Sequence, residues 1–550
     1  MKMNEKIFFI KLLALVSFLA VISDSCMRND CTIWVASPWQ QVMRNTLPGD
    51  LKTVTIKAAA NEYEPFRLII HNSGNAPLKD MNVKISSLKS SLCEISSANI
   101  KLYLANYVHI AKPSRDTKNP AGWYPDALIP FSGSGYETEQ GDVTFVAEPF
   151  SVDIAQNAEV WCDLFVPRGT KSGNYTGTVT VTIGKSKIAK IPVNLTVWDF
   201  ELPEKIAMQS YFGNMHNTSV KLMGVQPGSE EFLKMEFLYE QELLKNRAVP
   251  ATPDNVWPQW NKKDGIIEKG ETERIKKLVE KDHFNALDIP FRYKNEPVKC
   301  RAYLKATAEW LRKLGYLNIS YIYLEDEPND AKQYEMVRKQ GALIKSADPG
   351  IGRLCTEQTK TSDPAWGNLY NAVNIWCPLW GLWDEPTANE RLAKGEKLWS
   401  YTALRQGAVG TPWWEIDMDP VNYRAPLWIS WNYNITGFLY WASAYWGDNK
   451  TLQDVWENPV YNKDFWGEGV LLYPGKPAGI KGFVPSIRLK LYREAEEDYE
   501  YMILAASHGK RTDIDNIVRD IASSFHVWSH DINTYEQARE KLADLILKNK

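Results

Sequence analysis

Two patterns of apolar and polar positions divide the chain. From Cys31 to about Val197, short runs alternate apolar and polar residues with a period of two, at 53–58, 66–71, 81–85, 100–108, 159–166, 177–183 and 190–197. Turn residues such as Gly173-Asn-Tyr-Thr-Gly177 and Gly184-Lys-Ser separate them, the signature of antiparallel strands joined by hairpins. A β-sandwich over 31–198 fits that pattern. After Asp199-Phe-Glu-Leu-Pro203, strand-like runs alternate with helical stripes instead. Phe232, Met235, Tyr239 and Leu243 share one helix face; Tyr303, Ala306, Trp310 and Leu314 share another, which Gly315 closes. Strand-like runs fall near 208–213, 247–252, 286–291, 319–324, 353–356, 372–378, 397–403 and 435–441. Eight such units in about 240 residues is the arithmetic of a (β/α)8 barrel. The expected architecture is therefore multidomain, all-β followed by α/β: an N-terminal β-sandwich (31–198), a TIM-like barrel (199–505) and a C-terminal helical segment (506–550) packed on it.

The fourth strand-like run ends differently from the others. Ile319-Ser-Tyr-Ile-Tyr-Leu is β-branched and aromatic, then the chain meets Glu325, Asp326, Glu327 and Pro328. Proline cannot continue a central strand, and Asn329-Asp330 is helix N-cap material. Three adjacent acids thus sit at the carboxyl end of a buried parallel strand, where α/β folds build active sites. Adjacent carboxylates repel one another, so packing does not explain all three. The plain alternative is a solvated turn in which one aspartate caps the next helix.

Composition narrows the partner. The 64 basic and 67 acidic residues give a net charge of −3, which argues against nucleic acid. The 22 tryptophans and 26 tyrosines supply flat faces of the kind that sugar clefts use, beside their ordinary role in a large core. No metal-binding, P-loop or dinucleotide motif occurs, so no cofactor is expected.

The first residues read as targeting rather than fold. Lys2, Lys6 and Lys11 flank an apolar run over 7–22, and Cys26 follows where a lipoprotein signal is cut. The expectation is a signal segment over 1–25 and an exported protein: periplasmic, or a lipoprotein of the outer membrane or cell surface anchored at Cys26. Asp24 is untidy for that motif, so anchoring and plain secretion both stay open. The 7 cysteines form no C-x-x-C pair, and a disulfide between Cys355 and Cys377 is not expected.

Tyr323-Leu-Glu-Asp-Glu-Pro328 resembles the Asp-Glu pair of glycoside hydrolase family 123, β-N-acetylgalactosaminidases with an N-terminal β-sandwich and a barrel. The resemblance extends to Trp399-Ser-Tyr401, Gly437-Phe-Leu-Tyr-Trp441 and the charged helix from Arg488 through Arg493 to Glu500, and so covers most of the chain after Pro203. It implies release of a terminal N-acetylhexosamine, β-linked N-acetylgalactosamine in particular, from a glycan or glycolipid. It also implies a retaining, substrate-assisted route, an exception to the two-carboxylate scheme. Glu327 would then be the general acid and base, and Asp326 would hold the 2-acetamido group while its oxygen forms an oxazolinium at the anomeric carbon.

Other residues compete. Glu415, after the seventh strand, is the nucleophile of the alternative reading, a retaining glycosidase of ordinary type acting on another glycan; a non-catalytic glycan-binding relative is the third. Trp413 and Trp414 are sugar platforms or rim packing. Trp376, Tyr401, Trp441 and Trp446 end strands six to eight and line a cleft or a core. Asn214 and His216 are candidate hydroxyl partners, with His216 as readily a structural histidine. Asp384-Glu385-Pro386 repeats the acidic tripeptide but suits a helix start. Arg424 and Arg488 are expected in structural ion pairs. The loop over 112–148, with Trp123-Tyr-Pro-Asp126, is expected to reach the barrel. Oligomeric state and exact sugar are not legible.

Overall fold

The computed structural model describes residues 30–550 apart from 92, 262–266, 405–409 and 449. The signal segment and Cys26 lie outside the described residues. Among those described, no helix is long and apolar enough to cross a membrane.

Residues 31–201 form two facing sheets. One has five antiparallel strands ordered Cys31–Ala36, Glu62–Asn72, Asn157–Val166, Ile100–Ile110 and Gly122–Pro130. The other is built on the Gly173–Ile183 and Ser186–Glu201 hairpin, with Val54–Ala60 at one edge and Leu78–Ile85 beyond. Leu68, Val160, Val179 and Val193 are fully buried, the inward positions of the period-two pattern. Part of the stretch expected as a long loop is strand Gly122–Pro130, because Tyr124 and residues 127–129 alternate against Ile100–Ile110.

The second unit is a parallel sheet of seven strands: β1 (Gln209–Tyr211), β2 (Leu287–Asp288), β3 (Ser320–Asp326), β4 (Gly352–Thr356), β5 (Ile375–Trp376), β6 (Lys397–Thr402) and β7 (Gly437–Tyr440). Their spatial order is β1-β7-β6-β5-β4-β3-β2. The sheet curls, and its concave face is filled by Tyr321, Leu354, Ile375, Cys377, Trp399, Tyr401 and Leu439. Gly437 has no side chain because the Trp399 ring occupies that space.

Seven paired strands replace the eight expected. Residues 247–252 fill the gap between β1 and β2 without forming a regular ladder. The Phe212 N–H donates to Val249 O (3.0 Å) and the Ala251 N–H to Gly213 O (3.1 Å). The remaining bonds run through side chains: the Val249 N–H donates to Ser210 Oγ (2.9 Å), and the Thr252 N–H to Asp288 Oδ1 (2.5 Å). Pro250, which has no N–H, explains why a ladder cannot run through.

Helices pack on the convex side. Pro297–Leu314 buries Cys300, Tyr303, Leu304, Ala308 and Leu311 and ends on Gly315 at φ 82°. Helix α1 (Ala331–Ala347) starts on Asp330, whose carboxylate accepts the Gln333 N–H at 2.7 Å. Helix α2 (Ile487–His508) is buried from Ile487 through Met502 despite its charges. Arg488 pairs with Asp126 (2.8 Å), Arg493 with Asp163 (2.6 Å) and Asp498 with Arg424 (2.6 Å). Asp126 and Asp163 belong to sandwich strands, so α2 joins the two units. The structural ion pairs of Arg424 and Arg488 are present as expected. Arg511–Arg519 and α3 (Ile532–Asn549) complete the C-terminus.

Candidate functional site

The carboxyl ends of β3, β4 and β6 meet at one cavity of about 450 Å³. The pairing of β3 with β4 slips there: Tyr323 faces Leu354, but Asp326 faces Thr356. β3 thus carries one extra residue, and such a bulge re-aims side chains at a strand end. Glu327 follows at φ 44°, in the left-handed region that a residue with a Cβ rarely enters, and strain of this kind collects at functional sites.

The two acids are held by different partners. Tyr323 Oη donates to Asp326 Oδ1 at 2.7 Å and Thr356 Oγ1 donates to the same oxygen at 2.9 Å. Glu327 takes its N–H to Thr356 Oγ1 (3.0 Å), and its Oε1 accepts the Tyr401 hydroxyl. Burial and the neighbouring Glu327 carboxylate push the Tyr401 hydroxyl well above the usual phenol range, so it serves as a donor. Both acids are exposed. The adjacent acids are therefore tied to different neighbours, and of the two Glu327 lines the cavity.

One carboxyl of this cavity escaped the sequence reading. Glu357 follows Thr356 at the end of β4 and is 5% exposed. Tyr334 on α1 donates to its Oε1 at 2.8 Å. Burial pushes Glu357 up to about 7; the Tyr334 hydrogen bond opposes the rise and the nearby Glu327 charge adds to it. The usable signal was an acid directly after the last residue of a strand next to the carboxylate strand. Asp288, at the end of β2, is pushed up to about 7 by burial against the two bonds it receives from Thr252.

Of the residues expected to bind substrate, Tyr401 lines this cavity. Trp441 and His216 stand at the same end of the sheet, after β7 and β1. The His216 ring meets Trp441 edge-on at 6.3 Å and Tyr445 at 4.9 Å, and the Trp441 indole N–H donates to Glu468. His216 also caps helix Asn217–Met223, accepting the Thr218 N–H, and burial lowers its pKa. Asn214 is exposed on the same rim. Trp413 stacks on Phe465 at 5.8 Å, one layer behind Leu404 of the cavity wall.

Trp376, Trp446, Trp414, Glu415 and Asp384 are not brought to the cavity. Trp376 lies between Ile375 and Cys377, which fill the concave face, so strand alternation turns it outward, where its N–H donates to Glu396 at 2.6 Å. Trp446 is likewise core, donating to Leu472 O. Trp414 is 1% exposed among Tyr423, Phe438, Tyr440 and Tyr492. Glu415 is 2% exposed and borders a small cleft with Asp126, Arg488 and Arg67, at the junction with the sandwich. Burial, then Glu468 and Asp417, push its pKa well up. Asp384 caps helix Glu385–Ala393, accepting the Thr387 N–H at 3.1 Å. Among the described residues no cluster of three metal-ligating side chains occurs.

Comparison with known proteins gives the following. The model of the glycoside hydrolase 123 catalytic domain matches residues 259–505, and that of the glycoside hydrolase 123 N-terminal domain matches 41–183. Among solved structures, a family 123 glycoside hydrolase from Clostridium perfringens, studied for the details of glycolipid glycan hydrolysis, is 15% identical. It superposes with a TM-score of 0.67 over 94% of this chain and 98% of its own. A family 39 glycoside hydrolase from Bacteroides cellulosilyticus is 11% identical, with a TM-score of 0.31 over 84% of this chain and 82% of its own. No curated protein matches the chain.

Proposed function

The chain belongs to glycoside hydrolase family 123, and we propose that this glycosidase releases terminal β-linked N-acetylgalactosamine from glycans, those of glycolipids included, by a retaining, substrate-assisted mechanism. The observation that carries the reading is the separate anchoring of adjacent acids, Asp326 by Tyr323 and Thr356, Glu327 by Tyr401. In the first step the acetamido oxygen attacks the anomeric carbon. The glycosidic C–O bond breaks, and Glu327 gives its proton to the departing oxygen. Asp326, as a carboxylate, orients the acetamido N–H and faces the positive charge of the oxazolinium. Water then attacks the anomeric carbon, Glu327 takes its proton, and the amide re-forms with the original configuration. Tyr401 donates to one oxygen of Glu327, which leaves the other for the proton in flight. Trp441, after β7 beside β6, and His216 stand at the same end of the sheet as further candidates for sugar contact.

The C. perfringens relative's action on glycolipid glycans supports a lipid-borne substrate. The same reading takes residues 247–252 as the eighth stave of a (β/α)8 barrel, and export with lipidation at Cys26 as the route to an extracellular glycan. Mass spectrometry of the native protein that found Met1 intact would overturn export.

Paired chromogenic β-glycosides with and without the 2-acetamido group test the mechanism. Turnover confined to the acetamido sugars is expected, and Asp326→Asn should lose about 10²–10³ in rate, the scale of one electrostatic stabiliser. Equal turnover of the plain galactoside, or a lively Asp326→Asn, refutes it.

A further inference from the structure

The two acids of the proposed chemistry do not open onto the same space. Glu327 lines the cavity of about 450 Å³, whereas Asp326 is exposed and does not line it. Thr356 bonds both, but their other anchors stand apart. The Tyr323 ring that holds Asp326 leans on Tyr211 of β1, 6.3 Å between centres, while Glu327 is held by Tyr401 of β6. In the substrate-assisted reading Asp326 holds the acetamido group of the sugar that is released, and Glu327 gives its proton to the oxygen that departs. A cavity lined by Glu327 and not by Asp326 is then on the side of the departing group. Its volume falls within the range of about 300–1,000 Å³ usual for small-ligand sites.

One wall of that cavity is presented by a single 3-10 turn after β4, Pro364–Trp366. Asp363 starts the turn, its Oδ1 accepting the Ala365 N–H at 2.8 Å, and Gly367 ends it at φ 76°. Arg338 of α1 clamps it, donating from Nη1 to Trp366 O at 2.9 Å and to Asn368 O at 3.3 Å. A side chain at 367 would be strained and would bring its Cβ to 3.2 Å from the same nitrogen. The Trp366 indole is half-buried, meets the Tyr334 ring edge-on at 5.3 Å and lines the cavity. Leu382 and Leu404 extend the apolar wall, and Gln358 and Ser362, hydrogen-bonded to each other, add polar groups. A rigid, half-open indole beside an amide and a hydroxyl suits a pyranose, whose C–H groups lie on a flat apolar face while its hydroxyls seek hydrogen bonds. We propose that this cavity seats the leaving group, that the leaving group is itself a hexose, the second sugar of a glycan, and that Trp366 is the platform on which it lies. The choice of side rests on the roles proposed for Asp326 and Glu327.

Two substrates that release the same sugar test this. One is N-acetylgalactosamine β-linked to galactose; the other is N-acetylgalactosaminyl β-fluoride, whose leaving atom is too small to reach Trp366. Trp366→Ala should lower kcat/KM on the disaccharide about tenfold more than on the fluoride, the scale of one aromatic contact. Trp366→Phe, which keeps a flat face, should recover part of that difference. Equal losses on both substrates mean that Trp366 is structural or serves the released sugar, and overturn the proposal; so does no loss on either. Saturation-transfer NMR of methyl β-galactoside with the resting enzyme needs no turnover. Binding that Trp366→Ala abolishes and Asp326→Asn retains is expected. No binding, or binding that survives in Trp366→Ala, overturns the platform even if the enzyme cleaves N-acetylhexosaminides. Binding lost in Trp366→Ala by an enzyme inactive on both glycosides upholds the platform and overturns the substrate reading alone.

Discussion

Arg488→Met should cost most of the protein's margin of stability. The guanidinium bonds both oxygens of Asp126 (2.8 and 2.9 Å) and the carbonyls of Gly467 (2.8 Å), Trp414 (3.3 Å) and Val470. Arg488 and Asp126 side chains are 4% and 1% exposed. Methionine keeps the stem's packing but leaves Asp126 with the Tyr473 hydroxyl (2.6 Å) as its remaining side-chain partner. Removing one member of a buried pair costs about 3–5 kcal/mol, against about 5–15 kcal/mol for a whole fold. The orphaned carbonyls add to the cost, not additively. Asp126→Leu alone should cost a similar amount, since it strands the cation. The double variant should be better than the sum of the singles by about 2 kcal/mol or more, because no unpaired charge is left. Guanidinium unfolding followed by circular dichroism and tryptophan fluorescence measures the cycle. A single Arg488→Met loss under about 1 kcal/mol, or strict additivity, would refute the reasoning.

Glu415→Gln should keep turnover within a few-fold on an activated acetamido substrate, since the residue is enclosed at the sandwich junction; a dead variant, or a sugar trapped on Glu415, would show that the nucleophile is this carboxylate. Tyr401→Phe removes the hydroxyl that Glu327 accepts and should cost about tenfold in kcat/KM, roughly 1.4 kcal/mol, more on poor leaving groups than on good ones. Stability should fall as pH rises from about 4.5 to about 7, because Asp288, Glu357, Glu468 and Glu500 are all pushed up to about 7, chiefly by burial. In that window the folded state binds more protons than the unfolded one, so each proton released on unfolding favours unfolding at higher pH. Asp163 has the opposite sign, its pKa held well down by Arg493 and Lys490 against desolvation, and its contribution is lost at strongly acid pH. Melting temperatures from pH 4 to 8 should therefore peak at the acid end, and a maximum at pH 8 contradicts the assignment.

The sequence exposed the architecture where period and chemistry coincide. The β3 run, its three acids and Pro328 sit on a strand end as read, and the alternating runs before Val197 are sandwich strands. It was less legible where burial depends on partners distant in sequence. Residues 247–252 look like a strand, yet Pro250 and the side chains of Ser210, Thr252 and Asp288 take over the ladder. Trp376 and Trp414 read as cleft aromatics because composition does not say which face of a two-residue strand, or which side of a returning loop, is inside. Glu357 was passed over for the converse reason. A lone acid after Thr356 has no local oddity, and only the meeting of β3 with β4 makes it a neighbour of Glu327. Helix α2 reads as a strongly charged helix, and the sequence does not say that the charges are buried; Asp126, Asp163, Arg247 and Arg424 come from four other segments to meet them.

Why so many charges are buried at that junction has a physical answer in the site itself. Buried ion pairs are poor stabilisers, since desolvation offsets most of their attraction, and apolar residues of like volume would hold two units together as well. What directional pairs add is register: a guanidinium that must meet both oxygens of Asp126 admits one orientation of sandwich on sheet. That orientation reaches the cavity by a short path. The sandwich stretch just before strand Gly122–Pro130 gives the Ser114 N–H to Asp417 at 2.7 Å and accepts the Trp466 indole N–H on Lys112 O at 2.8 Å. Asp417 adjoins Met418, which packs with Trp413 and Phe465, and Leu404 leans on that cluster while forming part of the cavity wall beside Tyr401. A slip of the sandwich would thus move the wall that carries Tyr401, and with it the hydroxyl that orients Glu327. The charged helix and the carboxylate turn after β3 are two ends of one packing chain.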